Sequence, residues 1–171
     1  LVMAEAQGFS GASIIDNGPS SDKVDVVFLG DGYTSGELPQ YHADVQQFTD
    51  ALFAEPPFAH YKGFFNVYRV DVASSQSGTD DHCAGTFVET ALDTGFFSTG
   101  TDCRLLWTWS SEKIWNAAAA APAADTVIVI VNTLKYGGAA QYGGYGVFYR
   151  GSSGQEVMLH EFGHSFGLLA D

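Results

Sequence analysis

The chain is organised around the stretch His160–Asp171, which reads HEFGHSFGLLAD. Its apolar residues predict a helix over the first part of the stretch. At about 3.6 residues per turn, His160 and His164 lie on one face of that helix, one turn apart. Two imidazoles so placed can hold one metal ion with little rearrangement of the backbone. Glu161 is offset from that face by about 100°, and its longer side chain can reach a water molecule on the metal.

The H-E-x-x-H spacing on a helix is typical of zinc-dependent hydrolysis of peptide bonds. A Zn²⁺ ion lowers the pKa of its bound water to about 7, and a neighbouring carboxylate can take the proton. The alternative is a buried helix that merely carries these three polar residues, but an uncompensated Glu161 among apolar neighbours would be expensive to bury. We therefore predict one catalytic Zn²⁺ bound by His160 and His164, with Glu161 as the base.

A third protein ligand is expected, because catalytic zinc usually takes three protein ligands and a water. Gly167 follows His164 by three residues, and glycine commonly marks a left-handed helix end. The chain can then turn back, and Asp171 is the first side chain able to reach the metal. We predict Asp171 as the third ligand; the alternative is an exposed carboxylate without a metal.

A second stretch, Val24–Thr34, reads VDVVFLGDGYT. Together with HEFGHSFGLLAD it resembles the M64 peptidases, the family named for an immunoglobulin A peptidase, from about Ile15 to Asp171. The resemblance implies zinc on His160, His164 and Asp171, with Glu161 as base. It also implies that family members continue beyond Asp171, with a C-terminal part that forms the other wall of the cleft. The ending looks like a metzincin pattern with aspartate in place of the third histidine and one extra residue of spacing.

The composition limits the classes of partner. The chain has 171 residues, which suits one domain, and a net charge of −13. Such acidity argues against nucleic acid and anionic membranes as partners. The longest strongly apolar run, Val127–Val131, is far shorter than the about 20 residues of a membrane helix. The first residues lack the features of a signal peptide, and we expect a mature, secreted protein.

The two cysteines are Cys83 and Cys103. A disulfide between them would suit the extracellular location that the family resemblance implies, and two free buried thiols are the alternative. The nearby cluster Asp80–His82 could bind Ca²⁺, but EF-hand spacing is lacking, so calcium is possible but unsupported. We favour a solvated loop held by the disulfide.

The order of predicted elements is strand, helix, strand, helix, strand, edge strand and metal helix. It indicates an α/β fold: a zincin-type N-terminal subdomain with a twisted mixed β-sheet, backing helices and an active-site helix, and with the C-terminal subdomain missing or truncated. Residues 1–22 are expected to form a surface segment or an edge strand, and residues 23–171 the catalytic domain. Asp31, at the end of the first strand, is interpreted as satisfying backbone N–H groups in its turn, with a functional carboxylate as the alternative.

Residues 133–149 are rich in glycine and tyrosine. In zincins the strand before the motif helix is the sheet edge that binds the substrate, and glycines let another backbone approach. We therefore predict substrate contacts at Tyr136, Gly137 and Gly138; a flexible hairpin is the alternative. Ser152 or Ser153 is expected to cap the motif helix.

The function predicted from these features is a secreted zinc endopeptidase acting on protein or peptide substrates. One alternative is a metal-dependent hydrolase of a non-peptide amide or ester. The other is a non-catalytic fragment or binding domain that retains the zinc site. A C-terminal segment or second chain that completes the cleft is a possible partner.

Overall fold

The computed structural model describes residues 9–100 and 102–169. Within them the chain forms a six-stranded sheet, a three-stranded sheet and four helices. The strands are β1 (Ser10–Ile15), β2 (Val24–Asp31), β3 (Phe65–Asp71), β4 (Asp80–Asp81), β5 (Gly95–Thr99), β6 (Asp102–Trp107), β7 (Thr126–Val131), β8 (Gly138–Ala140) and β9 (Tyr145–Tyr149). The helices are α1 (Leu38–Ala54), α2 (Phe58–Tyr61), α3 (Ser111–Ala118) and α4 (Gly154–Ser165).

The large sheet has the strand order β1-β3-β2-β7-β9-β8. Its four central strands are parallel, whereas β1 and β8 run antiparallel to their neighbours at the two edges. The twisted mixed sheet with helices confirms the predicted α/β class. Strand β1 belongs to the N-terminal segment, and it forms one edge of this sheet.

Side chains alternate across the large sheet, so that each central strand contributes to two separate cores. Val26 and Phe28 of β2 belong to the core under α1 and α4. Val27 and Leu29 belong to the core on the opposite face, with Leu106 of β6 and side chains of α3. The predicted strands β2 and β7 are apolar runs because both of their faces are covered.

Helix α1 buries the stripe that its sequence predicts. Tyr41, Val45, Phe48 and Leu52 are all at most 1% exposed, which confirms the i, i+4, i+7, i+11 pattern. The turn before the helix is held by Glu37, whose carboxylate accepts hydrogen bonds from the backbone N–H and the hydroxyl of Thr34.

Asp31 lies at the carboxyl end of β2 and is fully buried. Its carboxylate accepts hydrogen bonds from the backbone N–H groups of Leu92 and Thr94, and from the hydroxyls of Thr94 and Ser74. The prediction that Asp31 satisfies backbone N–H groups is confirmed, but the donors lie in residues 74–94 and not in its own turn. This stretch, here named the covering segment, crosses the end of β2.

Glycine at position 32 permits this crossing. Gly32 has a φ of 73°, and a Cβ there would overlap the carbonyl of Gly78 in the covering segment. Gly78 in turn donates its N–H to the Gly32 carbonyl. The G-D-G turn therefore serves the close packing of two backbones.

The small sheet packs through β6 against β8 and β9 of the large sheet. Strand β4 pairs parallel with β5, and β5 pairs antiparallel with β6. The predicted disulfide is present: Cys83, just after β4, is joined to Cys103 of β6.

The prediction of a single edge strand before the motif helix is wrong in detail. The region forms a hairpin in which β8 is the edge and β9, the strand directly before α4, lies inside the sheet between β7 and β8. All five residues of β9 are buried. Because β9 is covered on both faces and paired on both sides, β8 is the strand of this hairpin that presents an edge.

None of the helices in the described part of the chain has the length and hydropathy that crossing a membrane requires.

Candidate metal centre

Helix α4 carries the H-E-x-x-H motif and begins directly after β9. Its first residue, Gly154, is buried against that strand: a Cβ at this position would overlap the carbonyl oxygen of Tyr149. Met158 and Phe162 then fill the core beneath the helix, at 0% and 1% exposure. The buried side of α4 is therefore fixed, and this leaves His160 on the exposed side.

The start of α4 differs from the prediction in one detail. Ser153 occupies the capping position, but its side chain makes no capping hydrogen bond. Its hydroxyl instead lies 2.7 Å from the hydroxyl of Tyr149. Ser153 thus links the helix to the end of β9.

The two motif histidines meet at their Nε2 atoms, which lie 3.1 Å apart. Their rings are 4.6 Å apart between centroids and nearly perpendicular, at 86°. Two nitrogens bound to one tetrahedral zinc at the usual bond length would be about 3.3 Å apart. The side-chain pair therefore fits a metal ion with only a small adjustment.

The tautomer of His164 favours the same role. Its Nδ1 lies 2.9 Å from the carbonyl oxygen of Leu169. Since a carbonyl only accepts, Nδ1 carries the proton, and in the neutral ring Nε2 is then the nitrogen that carries the lone pair. A backbone carbonyl that orients a histidine in this way is typical of metal ligands. Leu169 was not identified from the sequence, because a backbone acceptor leaves no signal in residue type.

The end of α4 corrects the prediction for Gly167. The left-handed residue is Leu168, with a φ of 55°, and not Gly167. Gly167 is needed for another reason: a Cβ there would lie 2.7 Å from the Gly163 carbonyl oxygen. The Leu169 N–H donates to that same oxygen at 3.1 Å. The chain thus turns back over the last turn of the helix, which brings the Leu169 carbonyl to His164.

The remaining motif residues stay predictions. Glu161 follows His160 on α4 and is partly exposed. Asp171 lies outside the described residues, so the third ligand is untested.

A second group of ligand-type atoms lies in the small sheet, where Asp81, Cys83 and Cys103 come within 4.8 Å of one another. The two sulfurs are joined in the disulfide and offer no thiolate to a metal. The Asp81 carboxylate is bonded to Lys135, and that of Asp80 accepts the N–H of Val88. Both carboxylates therefore have partners within the chain.

The hairpin places the predicted substrate residues at the edge of the large sheet. Gly138 begins β8, and Gly137 precedes it. The Gly137 carbonyl accepts the N–H of Tyr149, and the Gln141 N–H donates to Tyr145. In an antiparallel pair, the backbone N–H and C=O groups of alternate residues face the partner strand or face away from it. Since Gly137 and Gln141 face β9, the backbone groups of Gly138 and Ala140 face away from it.

Tyr136 lies just before the edge strand and is 48% exposed, with its ring 5.3 Å from that of Tyr149. Ala140 was not identified by the sequence analysis, because the outward direction of its backbone groups depends on the register of the hairpin, which residue types alone do not reveal.

Two groups with shifted pKa values, Tyr33 and Glu37, follow the carboxyl end of β2. The backbone N–H of Thr34 and hydrogen bonds from Ser77 and Asn132 lower the pKa of Glu37 to about 2. Burial, together with the neighbouring Asp44, raises the pKa of Tyr33 well above its usual value.

Comparison with known proteins supports the same assignment. No curated protein matches the chain. The family model for IgA peptidase M64 matches residues 12–171. This range contains both stretches on which the resemblance was based, and it leaves out only the first eleven residues. The chain therefore belongs to the M64 family of peptidases.

Proposed function

We propose that the chain is a secreted, zinc-dependent endopeptidase that uses His160, Glu161 and His164. Membership of a peptidase family gives the general class. The observation that carries the specific proposal is the pair of Nε2 atoms 3.1 Å apart. It is supported by the Leu169 carbonyl, which orients the His164 ring.

In this proposal His160, His164 and Asp171 hold the ion. Zn²⁺ supplies Lewis acidity and lowers the pKa of a water to about 7. The exposed position of His160 lets substrate reach the pair. The residues of the last turn, through Gly163 and Leu169, keep the His164 ring from rotating.

Glu161 is the proposed general base. Its carboxylate removes a proton from the attacking water and later passes this proton to the nitrogen of the leaving amine, as the C–N bond breaks. The base is thus restored at the end of the cycle. Its position directly after His160 keeps it beside the site.

The substrate is proposed to lie along β8 as an extended peptide. Gly138 and Ala140 would pair their backbone groups with it, which is a recurrent mode of peptide recognition. Tyr136, about half exposed, would contact a substrate side chain at the start of the strand. Residues 23–171 make up the proposed catalytic domain, and a further segment or chain would complete the cleft.

Secretion is part of the proposal. It is supported by the disulfide between Cys83 and Cys103, because such bonds persist mainly in oxidising compartments. The acidic net charge of −13 is compatible with a protein substrate and unfavourable for nucleic acid.

The test compares Glu161→Gln with His160→Ala, and uses Glu156→Gln as the matched control. Glu156 lies on the same helix and is exposed. Glu161→Gln should keep about one zinc ion per chain and lose about 10²–10⁴-fold in turnover of casein. His160→Ala should lose zinc as well as turnover, and the control should lose neither. Metal content is measured by plasma mass spectrometry, and cleavage with and without a zinc chelator.

Retained turnover in Glu161→Gln, or retained zinc in His160→Ala, would contradict the assigned roles. Zinc binding without cleavage of any peptide would favour one of the two alternatives: hydrolysis of a non-peptide amide or ester, or a non-catalytic domain with a zinc site.

A further inference from the structure

We propose that Asp81 is a positioning residue for the substrate edge: through Lys135 it holds the turn that leads into β8. This inference rests on the proposed function, in which β8 pairs with the substrate. Asp81 lies in the small sheet, outside the motif.

The contact between Lys135 and Asp81 is short and partly shielded. The Lys135 ammonium lies 2.5 Å from Asp81 Oδ2, and the two side chains are 41% and 17% exposed. The same ammonium lies 4.3 Å from the centre of the Phe96 ring. The Asp81 carboxylate and the Phe96 ring together restrict the motion of the Lys135 ammonium.

Asp81 is itself rigidly held. Its other carboxylate oxygen accepts the backbone N–H groups of Cys83 and Ala84, at 3.2 and 3.1 Å. Its own backbone exchanges two hydrogen bonds with Thr86. The disulfide from Cys83 anchors the same loop to β6. The hydrogen bond from Lys135 holds the pKa of Asp81 below its usual value, so the carboxylate stays charged at neutral pH.

The small sheet is also in direct contact with the chain just before β8. A Cβ on Gly137 would lie 2.8 Å from the Arg104 carbonyl oxygen and 3.1 Å from the Cβ of Leu106. Lys135 precedes Gly137 by two residues. Two contacts therefore hold the turn before β8: the Lys135 side chain contacts Asp81, and the backbone at Gly137 packs against β6.

Such support matters at an edge that binds a peptide. Ordering the backbone has an entropic cost, and a strand that is already ordered avoids that cost when the substrate binds. Loosening the turn should therefore weaken substrate binding more than it slows the chemical step.

The experiment uses the full chain with three variants: Asp81→Asn, Lys135→Gln and the double variant. Asparagine keeps an acceptor for the Cys83 and Ala84 N–H groups while it removes the charge facing Lys135. The matched control is Asp93→Asn. Asp93 makes an exposed 2.7 Å ion pair with Lys113, and neither residue is among those described above as holding the turn before β8.

Two readouts are measured. For a peptide substrate, Asp81→Asn should raise KM about fivefold, equivalent to about 1 kcal/mol, and leave kcat within about twofold. Hydrogen exchange of the Ala139 amide, which is the β8 amide that faces β9 in this register, should become several-fold faster. Lys135→Gln should give the same effects, and the double variant should add little, because both changes break one contact.

Exchange at β8 that stays at the control rate would overturn the proposal. A fall in kcat at unchanged KM would also overturn it. That result would mean that the variant contains less correctly folded enzyme, and that Asp81 has no specific effect on substrate binding. The wild-type chain could also cleave no peptide while Asp81→Asn still speeds exchange in β8. That result would refute the endopeptidase and leave the support of β8 by Asp81 in place.

Discussion

Replacing Asp31 tests whether the covering segment depends on this one buried carboxylate. Each oxygen of Asp31 accepts two hydrogen bonds: Oδ1 from Leu92 N and Ser74 Oγ, and Oδ2 from Thr94 N and Oγ1. In Asp31→Asn, one oxygen becomes an NH₂ group. Whichever way the amide turns, this group faces one backbone N–H, of Leu92 or of Thr94, which loses its acceptor. The hydroxyl beside it can rotate, because a hydroxyl both donates and accepts.

The magnitude follows from that count. An unsatisfied buried backbone donor costs about 1–3 kcal/mol, so the loss of one acceptor lowers the free energy of unfolding by about 2 kcal/mol. A whole domain typically has a free energy of unfolding of about 5–15 kcal/mol. At about 2–4 °C per kcal/mol for a chain of this size, the melting temperature should fall by about 4–8 °C.

Thermal unfolding followed by circular dichroism measures this change, with urea unfolding as a second measurement. The control is Asp50→Asn on α1, whose carboxylate accepts one exposed hydrogen bond from Gln46; it should shift stability by less than about 0.5 kcal/mol. A loss below about 1 kcal/mol in Asp31→Asn would refute the reasoning. Unchanged stability with lost cleavage would instead make Asp31 a functional carboxylate.

Two further predictions concern the start of α4 and the turn before α1. Gly154→Ala should weaken zinc binding, measured by titration against a competing chelator, because a Cβ there would overlap the Tyr149 carbonyl and displace the helix; Glu156→Ala is the control. Glu37→Gln should lower the free energy of unfolding by about 1–2 kcal/mol at pH 7. Since the folded pKa of Glu37 is lowered from 4.5 to about 2, its stabilisation is complete above pH 4.5 and lost as the pH falls toward 2. The difference in urea unfolding between wild type and variant should therefore shrink over that range, and a constant difference would contradict it.

The parts of the fold that the sequence predicted are those with a local pattern. The buried run of β7 and the stripe Tyr41 to Leu52 of α1 are visible in the order of residue types, because burial on one or both faces selects apolar side chains at fixed spacing. The H-E-x-x-H pair is local in the same sense. A one-turn separation on a helix dictates that His160 and His164 meet.

The parts of the fold that the sequence could not predict depend on contacts between residues far apart in the chain. The Asp31 donors lie 43 to 63 positions away, and no local pattern connects them. The division of residues 133–149 into an edge strand and an interior strand depends on which neighbours cover β9. The left-handed Leu168 contradicts residue preference, since leucine rarely adopts a positive φ; the Leu169 bond to Gly163 and the contact of its carbonyl with His164 outweigh that preference.

The motif alone does not determine where the histidine pair lies relative to β8, the proposed substrate edge. That distance is set by backbone contacts outside the motif, at both ends of α4. At the start of the helix, Gly154 rests on Tyr149, the last residue of β9. At its end, the N–H of Gly143 in the β8–β9 turn donates to the carbonyl of Ser165 at 3.0 Å.

These two contacts tie α4 to the same hairpin whose outer strand is the proposed substrate edge. The histidine pair and β8 should therefore move as one unit. Reacting groups must be held close to their productive geometry, since small displacements reduce the rate strongly. The small sheet then holds that unit from outside through Asp81 and Lys135. In the proposed endopeptidase, a substitution in the hairpin turn should thus reduce cleavage without changing a proposed ligand, because it changes the position of β8 with respect to His160 and His164.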